Sequence, residues 1–144
     1  MAIVKVEGFE DLDAMFQKLG DVPFEVTARA LDAMAEEGER AVRSTGAAMG
    51  VRDPESDVHI LDRVTHSRPK QTDEGGKTAV TFSGSRTRGN TKTRNAEIAF
   101  VNEYGKQGQA ARPFIRQAAE QYADQIAAPG EQVLGDWQEQ TFSS

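Results

Sequence analysis

The residues best suited to move a proton at neutral pH are His59 and His66, and the acids that could orient them are Asp62, Glu97 and Glu103. If the segment carrying both histidines is a strand, positions seven apart point to opposite faces. The two imidazoles then cannot serve one site without a bulge, and they read as ordinary surface or sheet-edge side chains. Ser44, Ser67 and Ser83 lie in no G-x-S-x-G elbow, and no glycine pattern matches a Walker loop or a dinucleotide fingerprint. The chain has no cysteine, which removes thiolate nucleophiles, redox dyads, disulfides and cysteine zinc sites. Two histidines are too few for a histidine-only metal site, and the carboxylates are scattered over helix faces. The sequence therefore predicts no catalytic residue, no metal and no cofactor. A hydrolase built around His59 or His66 survives only as a residual alternative.

The chain that would have to position any site is 144 residues long, with 17 basic and 23 acidic side chains and a formal net charge of −6. That is one domain's worth of chain, and at 38% hydrophobic residues it can bury a modest core. No run approaches the roughly 18 apolar residues of a membrane span, and the first residues carry acids where a secretory signal is apolar. The expectation is a soluble protein, made and kept in the cytosol, with no membrane partner. Its acidic balance argues against coating nucleic acid over the whole surface.

Val4 and Val6 alternate with Lys5 and Glu7 as in a half-buried strand, and Phe9, Leu12, Met15, Phe16 and Leu19 recur at helical spacing before Gly20. A second helix should start at Asp21 to Pro23, bury Val26, Ala30, Ala33, Met34, Ala41 and Val42, and fail near Arg43, before the Ser44-Thr45-Gly46 step. Three further strands are expected at His59 to Ser67, Lys77 to Ser83 and Glu97 to Tyr104, joined as an antiparallel meander, with Arg68 to Gly76 as a hairpin connection. Arg112-Pro113-Phe114 opens a third helix with Ile115, Ala119, Tyr122 and Ile126 along one stripe, and Pro129-Gly130 ends it. The fold class predicted is α+β: an antiparallel sheet of about four strands with two to three helices packed on it, forming a single domain over residues 1–128. Residues 129–144 form a tail in which Val133, Leu134, Trp137 and Phe142 either pack on the domain as a short helix or dock on a neighbour.

Two segments carry the functional signal. Gly84 to Asn95 contains Arg86, Arg88, Lys92 and Arg94 with no acid and no apolar anchor, which reads as a mobile basic loop. Such a loop can contact phosphates in a sequence-blind way, dock on an acidic protein neighbour, or simply be solvated; it has no aromatic for base stacking. Acid-rich helix faces around Glu36, Glu37 and Glu39 are candidate receivers on copies of the same chain. The other segment is Glu103-Tyr104-Gly105 followed by Arg112-Pro113-Phe114, an aromatic-glycine corner and an Arg-Pro-Phe step into a helix. Tyr104 and Phe114 are expected in the core, with Gly105 permitting a turn closed to other residues.

Taken in order, Val4 to Gly8 with its amphipathic helix, the Ala-rich helix ending at Thr45-Gly46, the strand Ile60 to Val64, Glu103-Tyr104-Gly105, and Arg112-Pro113-Phe114-Ile115 with Ala118-Ala119 resemble one family: the tail-completion or head–tail joining (neck) proteins of long-tailed bacteriophages. The resemblance covers about residues 3–127, and its most specific part is the last motif. It does not extend to the basic loop or the tail after Pro129. It implies a non-catalytic virion subunit, assembled in the host cytoplasm, whose copies form a ring, a hexamer matching the sixfold tail. The implied neighbours are the head connector or stopper and the tail tube or tail terminator, and contact with DNA in the lumen is left open. The alternative function is a nucleic-acid-binding accessory protein acting through loop 84–95.

Overall fold

A computed structural model describes residues 3–7, 22–53, 59–73, 75–88 and 90–142. The helix expected over Phe9 to Leu19 lies outside the described residues. The elements in order are β1 (Ile3–Glu7), α1 (Phe24–Ala48), a 3-10 turn (Ile60–Arg63), β2 (Val64–His66), β3 (Lys70–Thr72), β4 (Gly75–Phe82), β5 (Ser85–Arg88), β6 (Thr91–Arg94), α2 (Asn95–Tyr104), α3 (Phe114–Gln121) and α4 (Ala123–Phe142). The class is α+β. β4 is the central strand: β2 and β3 pair with it antiparallel along one flank, while β1 runs parallel to it along the other, from Ile3↔Gly75 to Glu7↔Ala79.

α1 covers one face of this sheet through Val26, Ala30, Leu31, Met34 and Val42, all buried, at the spacing of a helical stripe. The close approach is made at Gly76, where a Cβ would meet Phe24 Cε1 at 3.1 Å and Leu31 Cδ1 at 3.2 Å. Gly75-Gly76 is thus part of β4 rather than of a linker, and the expected connection Arg68 to Gly76 contains the strand β3.

Four expectations about element boundaries are corrected. α1 does not fail near Arg43; it runs through Thr45 and Gly46, both buried, because Gly46 is where Leu61 and Phe114 press on the helix. The strand expected from His59 begins only at Val64: His59 caps a 3-10 turn by accepting from Leu61 N at 3.1 Å. Residues 97–104 are helical, since the buried positions Asn95, Ala99, Asn102 and Glu103 recur at i, i+4, i+7 and i+8. Pro129-Gly130 does not end a helix. α3 stops at Gln121, and α4 passes through Pro129 while burying Ile126, Ala127, Gly130 and Leu134. An internal proline costs about 3 kcal/mol or more. Burial of Ile126 and Leu134 contributes about 1.5–3 kcal/mol for each side chain, enough to offset it.

Residues 129–142 therefore belong to the body of the domain. Leu134 is in the core, Val133 and Trp137 pack against it, and only the side chain of Phe142 lies outside the description. Of the two expectations for this segment, a helix packed on the domain is the one observed, lying along α1, and the docking arm is not.

Candidate interaction surface

The corner between α2 and α3 is assembled from polar side chains that stripe readings of apolar residues pass over. Glu103, buried on α2, accepts from the backbone N–H of Ile115 at 2.7 Å and of Arg116 at 3.4 Å. α3 starts after Pro113 with no side-chain cap of its own, so this carboxylate supplies the acceptor and the negative charge its first turn lacks. Asn102, also buried, accepts from Arg52 N at 2.9 Å and donates to the carbonyls of Arg52 and Ile98, both at 3.0 Å. Arg112 N donates to the Asn102 carbonyl, and Gly105 turns the chain at φ 78°, where a Cβ would lie 2.8 Å from Ala111 N. Phe114 then enters the core, fully buried, edge-on to Phe82 at 6.0 Å.

Tyr104 does the opposite of what its sequence position suggests. It is 68% exposed, and Phe100, one turn earlier, is 60% exposed; their ring centroids lie 4.6 Å apart with the planes tilted by 45°. On a helix, positions 100 and 104 share a face, and the face that packs inward is the polar-containing one through Asn102 and Glu103. Beside the aromatic pair runs an open groove of about 560 Å³ lined by Val80, Phe82, Ala99 and Ile115. Chemically it offers mostly apolar area, with Arg116 and Thr81 as polar groups at its wall; Glu103, its one carboxylate, is already engaged.

The basic segment is not a structureless loop. β5 and β6 form an antiparallel hairpin with Ser85↔Arg94 and Arg88↔Thr91 in register. Arg86 is held inside: its guanidinium pairs with the Asp53 carboxylate, Nη2 to Oδ2 at 3.0 Å, and donates to Asn95 Oδ1 from Nε at 3.0 Å and Nη2 at 2.7 Å. Asp53 Oδ2 also accepts from Ile60 N at 2.8 Å. Arg86 is thus an anchor and not part of an outward patch. Lys92 and Arg94 alternate onto one face of the ribbon; Lys92 is exposed, and Arg94 makes only a surface pair with Glu97 at 3.3 Å. Arg88 takes the register position nearest the turn. A cleft of about 440 Å³ at the hairpin base is lined by Arg52, Arg86 and Lys106 together with Asp53 and Glu97.

The histidines sit apart, each with its own partners. His59 Nε2 lies 3.2 Å from the Val51 carbonyl. His66 is clasped on both ring nitrogens, Nδ1 by Glu39 at 2.8 Å and Nε2 by Asp32 at 3.0 Å. Burial, the largest single influence, lowers its pKa, but the hydrogen bonds and charges of Glu39 and Asp32 together outweigh it and leave the value raised above 6.5. Glu39 is thereby engaged, and Glu37 pairs with Arg40, which removes two of the three acids expected to receive a neighbour on α1. Among the described residues no group of three His, Asp or Glu side chains is placed to hold a metal ion, and no helix is long and apolar enough to cross a membrane.

No protein-family model, no curated protein and no solved structure matches this chain.

Proposed function

We propose that this chain is a structural subunit of the neck of a long-tailed bacteriophage, a non-catalytic protein whose copies form a ring that completes the tail and joins it to the head connector. The observation that supports this most is the exposed aromatic pair Phe100 and Tyr104, in contact with each other beside a mostly apolar groove. Aromatic side chains are favoured at the centre of protein interfaces because they bury large areas at little entropic cost, and leaving two of them in water on a chain of net charge −6 makes sense when a protein covers them. The corner that presents them is the Glu103-Tyr104-Gly105 and Arg112-Pro113-Phe114 frame that carries the family resemblance. On this reading the neighbours are the connector or stopper on one side and the tail tube or terminator on the other, the DNA passes through the lumen, and the protein resides in the virion.

The test is a joining reaction: purified protein is added to heads and tails made without it, and joined particles are counted by electron microscopy. Wild-type protein should restore joining, and Phe100→Ser with Tyr104→Ser should abolish it while leaving the circular dichroism spectrum unchanged. Heads and tails that join without this chain would overturn the function. Joining by the double variant at the wild-type yield would remove the aromatic pair from the interface.

A further inference from the structure

Charge is segregated along this chain, and the fold carries the two signs to different places. Between Gly84 and Asn95 there are four cations and no acid; after Arg116 there is no lysine or arginine, and five acids follow, Glu120, Asp124, Glu131, Asp136 and Glu139. α4 packs on α1 through Ile126, Ala127, Gly130 and Leu134, which turns Asp124, Glu131, Asp136 and Glu139 to solvent. Among the described residues none of these four has a cationic partner; Asp136 accepts only from the neutral Gln132, at 2.9 Å.

The positive end is a rigid arm. β5 and β6 pair only with each other among the described strands, and the ribbon is pinned by Arg86 to Asp53 and Asn95. Its opposite face presents Lys92 and Arg94, while Arg52 and Lys106 line the cleft at its base on the side of Arg86 and Thr93, together with Asp53 and Glu97. The hairpin is tied to α2 and the Asp53 loop, whereas α4 is tied to α1 and α3, so the two patches are distinct surfaces.

We infer that the β5–β6 hairpin of one copy seats on the acidic outer face of α4 of the next copy; the inference rests on the neck-ring reading and names the contact that builds the ring. Two different patches per subunit make a heterologous contact, which closes into a ring when the rotation fits. Copies with a net charge of −6 repel one another on average, and orientations that bring the cationic ribbon against an acidic surface are favoured over the rest. α1 is the poorer receiver: Glu39 is bound to His66 and Glu37 to Arg40, which leaves Glu36 alone of the three acids expected there, against four acids on α4 with no cationic partner among the described residues. Exposed ion pairs are individually weak and are screened beyond about 10 Å at 0.1 M salt, so this contact sets orientation and makes assembly salt-sensitive.

The experiment is sedimentation velocity of the full chain at low and high salt, alone and with tail tubes added, on wild type, Lys92→Glu with Arg94→Glu, Glu131→Lys with Glu139→Lys, and all four changes together. All four positions are on the surface, and circular dichroism checks that each variant is folded. Wild type should form rings that salt dissociates. Each charge-reversed pair should raise the concentration needed for rings by about tenfold or more, and the combined variant should recover the wild-type value, a coupling that only facing charges give. Rings unaffected by either pair, or a combined variant no better than its parents, overturn the contact while leaving the neck reading standing if joining persists. Wild-type protein that stays monomeric in both settings and joins nothing overturns both. Loss of binding to a labelled DNA duplex by the hairpin variant, with rings unchanged, also overturns the contact and gives the hairpin to nucleic acid.

Discussion

The α2–α3 corner and the β5–β6 hairpin are each held by a buried carboxylate, and they differ in what else holds them. Glu103 ties down the first turn of a helix whose Phe114 and Ala118 are fully buried, so its hydrogen bonds add to an apolar contact that would persist without them. Asp53, whose side chain is 3% exposed, holds Arg86 and the 3-10 turn, and no described residue of the hairpin belongs to the hydrophobic core. A polar network in a low-dielectric setting is strong when complete and costly when one member is lost, because the remaining charge stays buried and unpaired. The corner is thus a frame stabilised by area, and the hairpin an arm stabilised by one satisfied charge.

The largest effect should come from the frame. Phe114→Ala removes the ring that packs edge-on to Phe82 and against Gly46 of α1, joining sheet, α1 and α3 at one point. A buried phenylalanine truncation costs about 3–5 kcal/mol, and the urea midpoint should fall accordingly with an unchanged slope. A loss below about 1 kcal/mol would mean that the site collapses around the gap and that the frame is not set by apolar area.

Changing each carboxylate to its amide separates the two regions. Asp53→Asn leaves Arg86 without its counter-charge and should cost about 2–3 kcal/mol, spent locally: amide exchange in residues 85–94 should accelerate while α1 keeps its protection. Glu103→Gln retains an acceptor for Ile115 N–H and loses only the charge at the α3 N-terminus, about 1 kcal/mol, with no region singled out. Equal costs, or an exchange pattern that spreads into α1 for Asp53→Asn, would erase the distinction between arm and frame.

The same contrast explains which parts the sequence makes legible. α1 follows its apolar periodicity, because Val26, Ala30, Leu31, Met34 and Val42 decide its packing, and β1 and β4 lie where strands are expected. α2 is misread as a strand because two of its buried positions are Asn102 and Glu103, whose burial is satisfied by hydrogen bonds that hydropathy cannot register; the same phase error puts Tyr104 in the core when it lies on the surface. The hairpin is concealed for the converse reason, having no apolar residue, although Gly89-Asn90 between alternating threonines is a two-residue hairpin signal. At Thr45-Gly46 and Pro129-Gly130 the stop signals are real local costs, overridden where each glycine admits a neighbour: Leu61 and Phe114 in the first case, Met34 in the second. The corner motif itself was visible as residues but not as a device, since the cap supplied by Glu103 reaches across twelve positions.

The smallest effect tests a third polar anchor, intermediate between the two. His66 fastens the three-residue β2 to α1 through Asp32 and Glu39, while its neighbour Val64 is buried, so β2 has both an apolar and a charged attachment. The groups facing the ring are these two acids on α1 and, across the ladder, the uncharged Val80. Because the folded-state pKa is raised, the native protein holds the proton more tightly than the unfolded chain. The contribution to stability is then fully present below the unfolded value of about 6.5 and is lost as pH rises through the raised folded value. Denaturation midpoints measured across that window should fall for the wild type and stay flat for His66→Gln, by less than either carboxylate variant costs. A wild-type midpoint that rises with pH over the same window would mean that burial of the ring, and not its two carboxylates, governs its protonation, and would leave β2 attached by Val64 alone.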